Sequence, residues 1–341
     1  MPSTGRDGAV IDVVAGVVTD AAGRVLIARR HDGSHQGGKW EFPGGKKHPG
    51  ESAFAALVRE LEEELDIKVE SAQPLTSVTH AYPDVTVDLE VWRVRRFSGT
   101  AHGREGQPIR WVAAEDLGAY EFPEADQPVL RALWLPPLYL LSDGGRFGPE
   151  DFLRHLESVL VAGAKLIQLR EPQLSPPEFR SRAETVVGTC HRHGARVLLN
   201  APAEIVQECG ADGIHLNGRR LEQCASRPLD SRYWVAASCH DTTQLNHARR
   251  IGADFVVLSP VRSTRSHPLA RPLGWEAFAT LCSAAGLPVY ALGGMEVGDL
   301  EKARQAGAQG IAMLSGVWAA TEPESVVASL IRGTEGVSSP P

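Results

Sequence analysis

Basic charge is in short supply in this chain. Lys and Arg number 35 against 42 Asp and Glu, a net charge of −7. A protein that wraps nucleic acid normally shows the opposite balance, because its phosphate contacts are made by basic side chains. Direct nucleic-acid binding is therefore not expected, whereas a small anionic substrate can still be held by one metal ion and a few Arg. Cysteine is also sparse. Cys190, Cys209, Cys224, Cys239 and Cys282 are odd in number, widely spaced and without a CxxC pair, which argues against a zinc site and a disulfide framework. No apolar run approaches the ~18 residues of a membrane span, and the N-terminal residues lack a signal-peptide core. The expected setting is the cytoplasm, with no membrane partner. Aromatics make up only 6%, yet 43% hydrophobic and 23% charged residues are ordinary for a globular protein. A length of 341 residues favours two domains of unequal size.

Residues 8–20 alternate as a strand, and residues 24–29 read as its hairpin partner. A Gly-rich stretch, 33–45, precedes a helix at about 52–65. Strands follow at 76–80, 85–97 and 109–112, then a helix at about 124–135. Pro136-Pro137 ends that helix and is the candidate linker. Beyond it the texture becomes a regular beat of apolar run and helix. The runs lie at 138–142, 165–170, 196–200, 213–217, 234–240, 255–261, 289–293 and 310–315. Eight such units in about 200 residues fit a closed (β/α)8 barrel, with an open doubly wound sheet as the alternative. The expected organisation is α/β: a first domain over 8–135, a barrel over 138–332, and a disordered Gly/Ser/Pro-rich tail over 333–341.

The strongest chemical signal is Gly45-x5-Glu51-x7-Arg59-Glu60-Leu61-Glu62-Glu63-Glu64-Leu65-Asp66-Ile67. At 100° per residue Glu60, Glu63 and Glu64 share an arc of about 100° with Ala53 and Ala56. Phe54, Leu57, Val58, Leu61 and Leu65 fill the adjoining arc and are expected to face the core, with Glu62 towards water. Three like charges on one face repel, and Mg²⁺, with Mn²⁺ as substitute, is the kind of cation that oxygen ligands select. Such an ion bridges phosphate oxygens and activates water. A run of Glu is commonly a solvated face; Gly45, Glu51 and Arg59 in register argue for chemistry.

This pattern resembles the Nudix box, GX5EX7REUXEEXGU with U aliphatic, departing only at Asp66 where Gly is usual. Residues 8–135 further resemble the MutT-type 8-oxo-dGTP diphosphatases in three segments: Trp40-Glu41-Phe42-Pro43-Gly44-Gly45-Lys46, Gly103-Arg104-Glu105-Gly106-Gln107-Pro108 and Phe122-Pro123-Glu124-Ala125-Asp126-Gln127-Pro128. The resemblance implies an α/β/α sandwich and a metal site of Glu60, Glu63, Glu64, Glu105 and the Gly44 carbonyl. It gives Glu60 a part in orienting or deprotonating the attacking water, Arg59 the task of holding the carboxylates, and Glu51 that of supporting the loop. Arg30 and Lys46 would lie near phosphates and nucleotide, and Tyr82 and Phe42 around the purine. Asp126 stands where the family uses an Asn to read the oxidised base, and Val85 where an Arg approaches it. The implied reaction is 8-oxo-dGTP plus water giving 8-oxo-dGMP and pyrophosphate, a cleansing of the nucleotide pool. A thiamine-pathway pyrophosphate is the alternative substrate.

From about Leu138 to Trp318 the chain resembles the thiamine phosphate synthase/TenI-like barrels. The matching residues are Gly163 to Arg170, Ala211 to Leu216, Ser238-Cys239-His240 and Ala291-Leu292-Gly293-Gly294, completed by residues 310–316. The resemblance implies a substrate site with Gln168 and Arg170 and a phosphate cradle of Gly293, Gly294, Ser315 and Gly316. His240 takes the place of a proton-transfer His, a residue type suited to acid/base work at neutral pH. A synthase would carry Lys at Pro172 and Asp at Ala201, and a second Asp in the stretch held by Arg219 and Arg220; the two Asp bind Mg²⁺-pyrophosphate. Their absence argues against synthase activity. The barrel is then expected to isomerise a thiazole phosphate, to bind a thiamine-related phosphate, or to act as a non-catalytic module.

Overall fold

The computed structural model describes residues 10–264 and 271–335, which fall into two compact units, one closing at Trp134 and the other opening at Leu135. The first runs β1 (Val10–Val18), β2 (Val25–Arg29), β3 (Trp40–Glu41), β4 (Gly44–Lys46), α1 (Ala53–Leu65), β5 (Lys68–Ala81), β6 (Thr86–Ser98), β7 (Ile109–Val112) and α2 (Gln127–Leu133). Its sheets have the orders β4-β1-β6-β5 and β3-β2-β7. Alternate residues of β1 and β2 feed opposite faces. Val14, Val18 and Leu26 join Leu57, Leu61 and Leu65 of α1, while Ala15, Val17, Val25 and Ile27 join Val129 and Leu130 of α2. The result is an α/β/α sandwich.

The expected hairpin of residues 8–29 does not form. β1 and β2 meet only at the bridge Thr19–Val25, because β1 is already flanked by antiparallel β4 and parallel β6 and has no open edge for β2. β5 begins well before residue 76. It is an edge strand whose register shifts around Ser71 and between Pro74 and Thr76, irregularities that an edge tolerates and that mask its periodicity in the sequence. In α1, Phe54 is 39% exposed and packs on Trp92, whereas Ala56 is fully buried. The buried arc is thus rotated towards the carboxylates, drawing Glu60 and Glu64 inwards and leaving Phe54 at the rim.

The second unit is a closed barrel of eight parallel strands: β8 (Leu138–Leu141), β9 (Leu166–Leu169), β10 (Arg196–Leu199), β11 (Gly213–Leu216), β12 (Trp234–Cys239), β13 (Phe255–Leu258), β14 (Val289–Ala291) and β15 (Gly310–Met313). Each lies inside the apolar run expected for it. The helices are α3 (Pro149–Val161), α4 (Pro176–Arg192), α5 (Ala203–Glu208), α6 (Gly218–Gln223), α7 (Thr242–Arg250), α8 (Gly274–Ala284), α9 (Asp299–Gln305), α10 (Ser315–Trp318) and α11 (Pro323–Glu335). Pro136-Pro137 is built into this unit: Tyr290 Oη donates to the Pro136 carbonyl and Ile311 N–H to that of Pro137. The tail expected from residue 333 is helical through Glu335, and residues 336–341 lie outside the described residues. Tyr139, Phe255 and Tyr290 plug the barrel interior, their ring centroids 5.3 to 5.7 Å apart. Among the described residues no helix is long and apolar enough to cross a membrane.

Candidate functional site

Two glycines let β4 fit closely, Gly44 against β1 and Gly45 against the carboxylate helix. A Cβ on Gly44 (φ +152°) would sit 2.1 Å from the Val14 carbonyl oxygen, and one on Gly45 would sit 2.3 Å from Glu60 Oε2. Ser52 caps α1, accepting from Ala55 N–H, and Asp66 closes it in the left-handed conformation (φ 59°) that the usual Gly would adopt. Arg59 then organises the acidic face. Its Nε and Nη2 donate to the two oxygens of Glu51 (3.0 and 2.9 Å), Nη1 donates to Glu60 (2.8 Å) and Glu63 (3.2 Å), and Nη2 also reaches the Lys46 carbonyl (3.0 Å). These bonds, with a further one from His48 N–H, hold the Glu51 carboxyl down at about 2.

Glu64 has no such cation. Its Oε2 accepts from Gly44 N–H (3.0 Å), but burial, followed by the negative charges of Glu41, Glu60 and Glu105, pushes its carboxyl up to about 8. Glu105 is brought near from a remote loop. Arg104 N–H and Gln107 Nε2 both donate to the Glu64 carbonyl (3.0 and 3.2 Å), His102 N–H donates to that of Leu65, and Gln107 Oε1 accepts from Glu105 N–H (2.9 Å). The loop thus satisfies the orphan carbonyls at the end of α1. Among the described residues no three acidic, His or Cys side chains are gathered into a ready ligand cluster; Glu60 and Glu63 are turned onto Arg59, and Glu64 onto Gly44. The donor chemistry, carboxylates and a backbone carbonyl with excess negative charge, still fits a hard divalent cation.

A second group lies on the nucleotide side. Arg30 pairs with Glu41. Asp126 is buried, and burial followed by the Glu41 charge pushes its carboxyl up to about 8 despite the opposing pull of Arg30. Asp126 is therefore a neutral acid at pH 7, with an O–H to donate, and is not limited to accepting. Tyr82 lies beside it, its Oη accepting from Ala125 N–H (3.2 Å), with the rings of His80 and His35 packed against it. Phe42 is a core residue, 3% exposed and packed on Phe122. The Lys46 side chain and Val85 are at the surface or partly so.

In the barrel, the inward residues of β8, β9, β11 and β12 form a polar layer. Gln168 Nε2 donates to Tyr139 Oη (3.2 Å), which meets His215 Nδ1 (3.1 Å), while His215 Nε2 meets Ser238 Oγ (2.8 Å). Burial, with the positive charge of Arg170 second, lowers the His215 pKa to about 3, so its ring is neutral. Arg170 is exposed at the end of β9. His240 follows β12 and donates from Nδ1 to the Ser259 carbonyl (2.6 Å), which leaves Nε2 as the basic nitrogen. Gly293 (φ +105°) and Gly294 (φ +67°) follow β14, where Val261 N–H donates to the Leu292 carbonyl and Arg262 N–H to that of Gly293. Ser315 and Gly316 open the four-residue α10 just past β15.

A family model described as thiamine monophosphate synthase matches residues 138–317, over half of the chain, and one described as NUDIX domain matches residues 14–132. The chain is a Nudix domain joined to a member of the thiamine monophosphate synthase family. An Aquifex aeolicus protein provisionally named thiamine-phosphate synthase 2 is 34% identical over 181 residues, 53% of this chain and 97% of that protein. The 8-oxo-dGTP diphosphatase of Escherichia coli is 35% identical over 123 residues, 36% of this chain and 95% of that protein. The Pyrococcus furiosus thiamine phosphate pyrophosphorylase structure covers 58% of this chain and 95% of its own at a TM-score of 0.51 and 23% identity, a likeness of fold.

Against this family background, the motif reading missed several residues that the geometry of the Nudix domain and barrel brings forward. Glu41 and Gln107 lay inside quoted motifs without a role; His215 lay in another, and Tyr139 in none. The available signal was a set of polar side chains, Tyr139, Gln168, His215 and Ser238, inside otherwise apolar barrel runs.

Proposed function

We propose that the Nudix domain is a Mg²⁺-dependent diphosphatase, with Mn²⁺ as substitute, that hydrolyses 8-oxo-dGTP to 8-oxo-dGMP and pyrophosphate and so clears oxidised purine nucleotides before replication. The observation that carries this is the divided acidic face: Arg59 aligns Glu60 and Glu63, while Glu64 is half-buried among carboxylates with no cation of its own. The metal would be held by Glu60, Glu63, Glu64, Glu105 and the Gly44 carbonyl, and when bound would supply charge neutralisation to the phosphate chain. Arg59 acts as the positioning residue. Glu60 accepts the proton of the attacking water, Arg30 and Lys46 lie towards the phosphates, and the Tyr82 ring packs on the purine above the buried Phe42. Neutral Asp126 offers the base edge a donor and an acceptor, as the usual Asn does.

For the barrel we infer binding of a thiamine-related phosphate at Gln168, Arg170, Gly293, Gly294, Ser315 and Gly316, with His240 Nε2 moving a proton in an isomerisation. The deciding experiment measures pyrophosphate release from 8-oxo-dGTP, dGTP and thiamine diphosphate with Mg²⁺, using Glu60→Gln as control. A preference for 8-oxo-dGTP that is lost in the variant supports the assignment. Equal turnover of the nucleotides, or turnover of the thiamine compound alone, overturns it.

A further inference from the structure

Carboxylates at the C-terminal rim of the barrel are already committed to the protein itself. Asp143 accepts from Arg146 (3.1 Å), and Glu171 accepts from Gly144 N–H (2.9 Å) and Gln173 (2.6 Å). Asp241 accepts from Gln244 N–H (2.9 Å), and Asp299 accepts from Arg262 and from Glu296 N–H. Each of these carboxylates has a donor within the protein.

Arg220 is the opposite case. It lies on α6, just after β11, and its N–H donates to Asn217 Oδ1 (3.0 Å), while Asn217 Nδ2 donates to Asn200 Oδ1 (3.2 Å) at the end of β10. Residue 220 is thereby tied to the ends of two adjacent strands. Its Nη1 is buried with no hydrogen-bond partner. A guanidinium cannot shed its proton, so an unsatisfied buried donor of this kind is costly unless an anion completes it. Its neighbours in sequence carry no carboxylate: Asn200 is followed by Ala201, and residues 217–221 read Asn-Gly-Arg-Arg-Leu. Arg170, at the end of β9 on the other side of β10, is close enough to the interior for its charge to act on His215. Guanidinium groups at this rim favour an anion and repel Mg²⁺. The metal-bound pyrophosphate implied by the synthase resemblance does not fit these residues.

We propose that the barrel binds a phosphate or diphosphate group on Arg220, supported by Arg170 and apart from the glycines that follow β14 and β15, without a divalent metal. This rests on the reading of the barrel as a phosphate-binding domain and is independent of the Nudix reading. The test is isothermal titration of the full chain with inorganic pyrophosphate in EDTA. The expected result is binding in EDTA that weakens by about tenfold or more in Arg220→Met, which keeps the apolar stem and removes the charge, with Arg220→Lys in between. Should Arg220→Met fail to fold by circular dichroism, Arg220→Lys and the wild-type isotherm decide. Binding that appears only when Mg²⁺ is added, as the Nudix site itself would show, or an EDTA affinity unmoved by either variant, overturns the proposal. Absence of binding in both conditions overturns the reading of the barrel as a phosphate-binding domain as well.

Discussion

Gly45→Ala should separate catalysis from stability in the Nudix domain. The new Cβ would lie 2.3 Å from Glu60 Oε2, 2.4 Å from its Cδ and 2.5 Å from Oε1, whereas ordinary contact begins at 3.4 Å. The Glu60 carboxylate must therefore retreat by about 1 Å, and its 2.8 Å bond from Arg59 goes with it. A displacement of that size at a reacting group costs about 10²-fold, or about 2.7 kcal/mol of activation free energy. The fold should hardly notice. Gly45 is outside the left-handed region, so Ala is allowed there and gains about 0.4–1 kcal/mol through the unfolded chain, offsetting part of one weakened hydrogen bond. The assay is kcat/KM for pyrophosphate release with Mg²⁺, alongside calorimetric Tm. Gly50→Ala is the matched control, since Gly50 has φ +81° but open space where a Cβ would go. It should lose about 1–2 kcal/mol of stability to backbone strain and little activity. The reasoning fails if Gly45→Ala stays within about threefold of wild type, or if Gly50→Ala loses activity to the same degree.

Three further outcomes are expected. Asp126, with a folded pKa near 8 against an ordinary 3.8, favours its neutral form in the fold. Its contribution to stability is full below about pH 4 and is lost as pH rises through about 8; Asp126→Asn should flatten Tm between these limits and abolish a rise in KM for 8-oxo-dGTP above pH 8, and parallel pH profiles would refute the assignment. Leu61→Ala removes a fully buried side chain that packs against Gly16, and should cost roughly 2–5 kcal/mol in urea unfolding; a loss under about 1 kcal/mol would mean that the α1 interface is loosely packed. His240→Gln should slow thiazole phosphate isomerisation, followed by NMR, by about 10²–10⁴-fold, and an unchanged rate would remove His240 from the chemistry.

What could be read from the sequence depended on how local its cause was. The barrel strands were legible because each is covered by helices outside and plugged inside, so that runs such as Leu138–Leu141 and Phe255–Leu258 are buried on both faces and stand out as continuous apolar stretches. The acidic helix was legible because its spacing is a property of one segment. Its rotation was not: a wheel places Phe54 beside Leu57 and Leu61, but which edge of the apolar arc meets solvent depends on where Trp92 and the sheet lie. The hairpin misreading has the same origin, since two strands that can pair locally were each claimed by partners far along the chain, β1 by β6 and β2 by β7.

Asp126 marks the limit most sharply. Read in isolation, Asp in place of Asn exchanges a donor for a charge and weakens the match to a base reader. Yet Arg30, ninety-odd residues from Asp126 in the chain, is engaged with Glu41, and one guanidinium cannot neutralise two carboxylates in a buried setting. The carboxyl with less compensation keeps its proton. That makes Asp126 a hydrogen-bond donor through its surroundings alone, so its chemistry belongs to the fold and could not have been assigned from the residue's identity.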